Sequence, residues 1–175
     1  MTTASEWNRA VFTTTGGVIA VRDVVEAACF RGELERSWGP LLLSVESEKL
    51  AADLEAPDDA VLQTMSETFR YERDLITAEE MESWLEQHGL TAEEFSDYFL
   101  RHHWGNVLHG KIAPGSCDYG SASGELRNLL RIDLLLSGEF ERLAIELSWR
   151  YAAFAAAGSE VTPSLFEAEG GHFRE

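Results

Sequence analysis

The chain lacks any apolar run near the eighteen or so residues a membrane span requires, so no segment reads as transmembrane. Its two cysteines, Cys29 and Cys117, have no Cys-x-x-Cys spacing, which leaves neither a redox motif nor a zinc knuckle. Basic residues are scarce: 14 Lys and Arg stand against 31 Asp and Glu, a net charge of −17 that opposes binding to nucleic-acid phosphates or an anionic membrane surface. The opening "MTTASEWNRAVFTTTGG" has no basic-then-apolar arrangement, and a cytoplasmic location is the expectation. A Gly-x-Ser-x-Gly elbow, a P-loop and a spaced Gly-x-Gly-x-x-Gly are also missing, and the adjacent Gly16-Gly17 replaces none of them. Motifs therefore assign no catalytic residue, metal or cofactor.

What the chain has is a globular composition, 45% hydrophobic over 175 residues, enough for a buried core without disulfides. Its acids are unevenly spread. Ser44 to Asp97 holds sixteen of them against only Lys49, Arg70 and Arg73. The plain meaning of such a face is solvation; the functional one is a basic partner.

Residues 10–22 set β-rich residues on both sides of Gly16-Gly17 and predict a short extended segment or hairpin. Val24, Val25, Ala28 and Cys29 then mark one apolar helical face, with Cys29 as a core thiol and a pause at Gly32 or at Gly39-Pro40. Leu41, Leu42, Leu43, Val45, Leu50 and Leu54 predict a second helical stripe ending before Pro57, and Asp58 or Asp59 can cap a third through Val61, Leu62, Met65 and Phe69. Thr-Ala-Glu-Glu occurs twice, at 77–80 and 91–94, and each copy is a capping box. Gly89 ends the helix between them in a left-handed turn, and Leu90 packs back on it. Five glycines and one proline make 105–124 a loop or linker. Helices from Glu125 to Leu136 and from Glu139 to Ala157 follow, each opening on Ser-Gly-Glu, and Leu165 and Phe166 can anchor an extended tail. The expected fold is mainly α, a multi-helix orthogonal bundle with a short N-terminal extended segment or hairpin. Its parts are a helical domain at 1–105, a glycine-rich linker at 106–124, and a C-terminal helical pair and tail at 125–175 that packs on the first domain.

Two residue sets are candidates for function. Trp84, Phe95, Tyr98, Phe99 and Trp104 supply more apolar area than two short helices need, so they either fill a core or line a groove for an apolar or extended peptide. His102, His103 and His109, with Cys117 and Asp118, are the alternative polar site. Adjacent histidines on a helix point about 100° apart, so this spacing fits no standard metal site. Helical Glu-x-x-His pairs for a di-iron centre are missing too: Leu85, Phe99, Leu100 and Asn106 stand three residues before His88, His102, His103 and His109. The capping glutamates are accounted for by the helix starts.

Taken in order, "GGVIAVRDVVEAACFRGELERSW" and "LLLSVESEKLAADLEAPDDAVLQTMSETFRYERDLITAEEMESWLEQHGLTAEEFSDYFLRHHW" resemble the N-terminal helical domain of SurA-like and PpiC-like peptidyl-prolyl isomerases. The likeness is nearest to bacterial versions found beside peptide maturation and export systems, and it covers residues 16 to 105. That resemblance implies a chaperone or peptide-binding role. It also implies no isomerase activity, since the residues after Gly105 read as helices and not as the mixed parvulin domain. The expected partner is a peptide, an unfolded or precursor protein, or a biosynthetic enzyme, with no nucleic acid and no membrane. The alternatives are an enzyme or obligate enzyme subunit built on the helical scaffold, and a structural homodimer with exchanged helices.

Overall fold

The structure, a computed structural model, describes residues 3–113, 117–155 and 162–163. The fold is mainly α with a short N-terminal β-hairpin, and the chain forms two compact units. One comprises Met1–Leu34 and Gly138–Glu175; the other is Glu35–Ser137, which contains the glycine-rich 106–124.

In the first unit a short helix α1 (Thr3–Trp7), with no forecast in the sequence, precedes strands β1 (Ala10–Thr14) and β2 (Gly17–Ala20). These pair antiparallel with Thr14 opposite Gly17. The Thr14 hydroxyl accepts from the Gly16 N–H at 3.1 Å, and Gly17 adopts a φ of +134°, so the pair of glycines makes the turn as expected. β3 (Thr162–Pro163) adds to the other edge of β1, placing Pro163 opposite Phe12. Leu165 and Phe166 lie outside the described residues. Helix α2 (Val21–Phe30) starts where the Asp23 carboxylate accepts from the Ala20 N–H at 2.8 Å, and it stops just before Gly32, at φ +71°. Val21, Val24, Val25 and Ala28 are buried, whereas Cys29 is only half-buried: the expected core thiol sits at the edge of that face. Helix α8 (Glu139–Ala155) packs on α2 and contributes Phe140, Leu143, Ala144 and Leu147 to this core.

The second unit opens with α3 (Glu35–Ala51); of the two places expected for a pause, Gly32 before it supplies one. Gly39-Pro40 does not interrupt the helix. Pro40 stands in its second turn, so the carbonyl of Arg36 loses its helical donor, but both residues are exposed and solvent can replace it. Leu50 and Leu54, read as part of the apolar stripe, are 57% and 50% exposed, because the buried face runs through Leu41, Ser44, Ser47 and Ala51. Helix α4 (Asp59–Glu72) is capped by Asp58, which accepts from the Ala60 N–H at 2.9 Å. Its expected apolar Val61 is exposed, and Phe69 carries the burial.

Helices α5 (Ala78–His88) and α6 (Ala92–Val107) each begin with the capping box read from the sequence. Thr77 and Thr91 hydroxyls accept from the N–H groups of Glu80 and Glu94 at 3.2 and 3.1 Å, while those glutamates accept from the threonine N–H groups at 2.7 and 2.9 Å. Gly89 is left-handed at φ +59°, the Leu90 N–H reaches the Leu85 carbonyl at 2.9 Å, and Leu90 is buried. A 3-10 turn (Tyr119–Ser121) follows α6, then α7 (Gly124–Ser137), whose residues 130–136 are all buried. Ser123 caps α7 by accepting from the Leu126 N–H at 3.1 Å. Among the described residues no helix is long and apolar enough to cross a membrane.

Candidate functional site

Four of the five aromatic candidates, Trp84, Phe95, Tyr98 and Phe99, are drawn into one packed cluster centred on Phe69 of α4, while the Trp104 ring meets His103. The Phe69 ring meets Trp84, Phe95 and Phe99 edge-on at 5.3, 5.2 and 6.0 Å. Phe95 and Phe99 are 4.8 Å apart, and Tyr98 lies 5.1 Å from Phe99. Trp84, Phe99 and Trp104 are buried, at 8, 7 and 8% exposure, so in this conformation they belong to the core. Phe95 and Tyr98 stay half-buried. Arg73 covers Phe69, its guanidinium 3.9 Å from the ring centre, and donates to the Leu136 carbonyl at 2.9 Å.

The open space lies instead between α3 and α6. Gly105 faces Ser44 so closely that a Cβ on it would stand 3.4 Å from the Ser44 Cβ; two small residues let the helices approach there. Beyond this crossing a cleft of about 550 Å³ opens, with Pro40 and Leu43 on the α3 side, His102, Asn106 and His109 on the α6 side, and Ile112 past the helix end. Its lining contains no Asp or Glu, although the chain has 31. The volume falls within the range of about 300–1,000 Å³ usual for ligand sites.

His102 is the polar feature of this wall. Its Nε2 lies 3.3 Å from Oδ2 of Asp133 on α7, and Oδ1 of the same carboxylate accepts from Arg101 Nη2 at 3.0 Å. Arg101 and Asp133 are buried, and the Tyr98 ring lies 4.2 Å from the imidazole. Burial, together with the Asp133 charge, pushes the Tyr98 phenol up to about 12, so it stays protonated at physiological pH. Glu48 of α3 is held above the usual carboxylate range chiefly by burial, against the attraction of Arg101 and with the repulsion of Asp97.

The other polar candidates are dispersed. His103 is half-buried beside the Trp104 ring at 5.1 Å. Asp118 caps the 3-10 turn, accepting from the Gly120 N–H at 3.0 Å, and the Cys117 thiol lies against the Asp118 carbonyl at 3.5 Å. The Cys117 carbonyl accepts from Trp38 Nε1 at 2.6 Å, while the Trp38 and Tyr119 rings meet at 5.7 Å. These contacts pin the glycine-rich segment to the first turns of α3. Among the described residues no three His, Cys, Asp or Glu side chains are grouped to hold a metal ion.

Of the sequence candidates, then, His102 and His109 share the cleft, and none of the five aromatic residues lines it. Asp133, Arg101, Leu43 and Ser44 were not singled out. The signal available for Asp133 and Arg131 was their place in the otherwise apolar run of α7, where a charge is either paired or costly. No protein-family model, no curated protein and no solved structure matches this chain.

Proposed function

We propose that the chain is a peptide-binding accessory protein that holds an apolar stretch of a peptide or unfolded precursor, as a chaperone-like component of peptide maturation. The observation that carries this reading is the α3–α6 cleft, lined by the apolar Pro40, Leu43 and Ile112 and free of carboxylates in a strongly acidic chain. Its size suits one or two side chains of an extended segment, not a folded domain. The resemblance to the helical domain of SurA-like isomerases points the same way, and the reading places the protein in the cytoplasm, where precursor peptides are made. A homodimer would present two such clefts to one client. The test is calorimetry and amide chemical-shift mapping of the full chain with short apolar peptides. Shifts at Leu43, Gly105 and His109 are expected; no heat and no shift at millimolar peptide would sink the reading.

One observation favours a second reading, an enzyme or enzyme subunit: an imidazole on a cleft wall backed by a buried carboxylate is an arrangement used for proton transfer. Mass spectrometry of peptides incubated with the protein separates the two, since only catalysis changes a mass, and His102→Gln should abolish that change.

A further inference from the structure

We infer that His102 presents Nδ1 to the cleft as a hydrogen-bond acceptor, and that the cleft therefore selects an apolar peptide segment carrying a cationic N–H donor, such as a free α-ammonium group. The inference rests on the peptide-binding reading above and specifies the ligand.

Its first support is geometric. A neutral imidazole has one donor and one acceptor nitrogen, and the partner of one decides the role of the other. The Asp133 carboxylate is paired with the buried guanidinium of Arg101, 3.0 Å away, and as the partner of that cation it offers His102 an acceptor oxygen. Nε2 of His102, 3.3 Å from Asp133, therefore carries the hydrogen, and Nδ1 is left as the acceptor. Nδ1 has no hydrogen-bond partner among the described residues. The second support is charge. Sixteen acids between Ser44 and Asp97, on the unit that holds the cleft, set a negative potential, yet none lines the cleft itself. A cation is drawn to such a site without finding a competing carboxylate inside it. Pro40, Leu43 and Ile112 supply the apolar contact for the adjoining side chain.

The same chemistry makes binding depend on pH. Asp133 from α7 and Tyr98 on α6 touch His102; Arg101 on α6 pairs with the same carboxylate, Glu48 from α3 is attracted by Arg101 and repelled by Asp97 on α6, Arg73 from α4 acts on Tyr98, and His109, past the end of α6, shares the cleft. When His102 takes a second proton, Nδ1 turns from acceptor to donor and the imidazolium repels an ammonium. Affinity for a cationic peptide should thus fall as the pH is lowered.

Three probes test this on the full chain: Leu-Val-amide with its free ammonium, its neutral N-acetyl form, and N-acetyl-Leu-Val with a free carboxylate. The cation should bind about fivefold more tightly than the neutral probe, the scale of one partly exposed charged contact, and the anion most weakly. The preference should fade when the pH is lowered far enough to protonate the imidazole. Ring ¹⁵N shifts of the wild-type protein give a measurement that needs no variant and should show hydrogen on Nε2 at the higher pH. Hydrogen on Nδ1, or equal binding of all three probes, overturns the inference and leaves the peptide reading standing. If no probe shifts any cleft residue, both fall. His102→Gln should remove the pH dependence, and persistence of that dependence would also count against the assignment.

Discussion

Replacing Arg131 with methionine should lower the stability of the 35–137 unit more than any surface change in the twin capping motifs. The guanidinium is 1% exposed and makes three contacts, two of them outside α7. Nη1 donates to the Gly89 carbonyl at 3.1 Å, Nη2 to Glu94 Oε1 at 3.3 Å, and Nε to Asn128 Oδ1 at 3.0 Å. It therefore holds both the left-handed turn that ends α5 and the glutamate that caps α6. Methionine keeps much of the volume but no donor, so Glu94 and the Gly89 carbonyl lose their partner. Breaking a buried ion pair by removing one member costs about 3–5 kcal/mol. Glu94 is one-quarter exposed and water recovers part of that, so about 3 kcal/mol is expected. For a chain of this length such a loss lowers Tm by about 6–12 °C. Urea unfolding followed by far-ultraviolet circular dichroism and tryptophan fluorescence measures it. Glu94→Gln should cost about 1 kcal/mol, and the double variant should show coupling because the two residues share one contact. An Arg131→Met loss under 1 kcal/mol, or strict additivity with Glu94→Gln, would refute the idea that this arginine holds the α5–α6 turn.

Other consequences are simpler to check. Thr77→Ala and Thr91→Ala each remove one cap and should each cost about 1 kcal/mol in the same unfolding assay. Gly105→Leu places a side chain against Ser44 at the α3–α6 crossing and should cost about 1–3 kcal/mol while abolishing peptide shifts at the cleft. Because Glu48 has a folded-state pKa raised by burial, its ionisation works against folding: the favourable contribution is present at low pH and lost as pH rises through the folded value. Glu48→Gln should therefore raise Tm at pH near neutrality and do so less at acid pH, and thermal melts across that range would show the opposite trend if Arg101 outweighs the burial. Phe69→Ala empties the centre of the aromatic cluster and should cost about 3–5 kcal/mol.

Local chemistry was legible where it is decided within a few residues. The capping threonines, the left-handed Gly89, the hairpin at Gly16-Gly17 and the aspartate before α4 all act through bonds to neighbours two to four positions away, so their letters suffice. Of the two offered pauses Gly32 is the one used, and α3 tolerates Pro40 because the residue whose carbonyl is freed, Arg36, is exposed. Leu50, Leu54 and Val61 were misread because periodicity shows that a face is apolar, but not that another helix arrives to cover it.

The candidate site was only half visible for the same reason. His102 and His109 could be picked out by residue type, but their company could not. Asp133 lies thirty-one positions from His102, and no spacing rule links them. The sequence by itself determined a mainly helical acidic chain, its hairpin, and the start and end of its central helices, because propensity, caps and turn residues are local. Only the tertiary structure decided that Phe69 gathers the aromatic rings and that Gly105 and Ser44 bring α3 against α6. It alone put the Asp133 carboxylate between Arg101 and His102, since burial and charge pairing arise only when distant segments exclude water together.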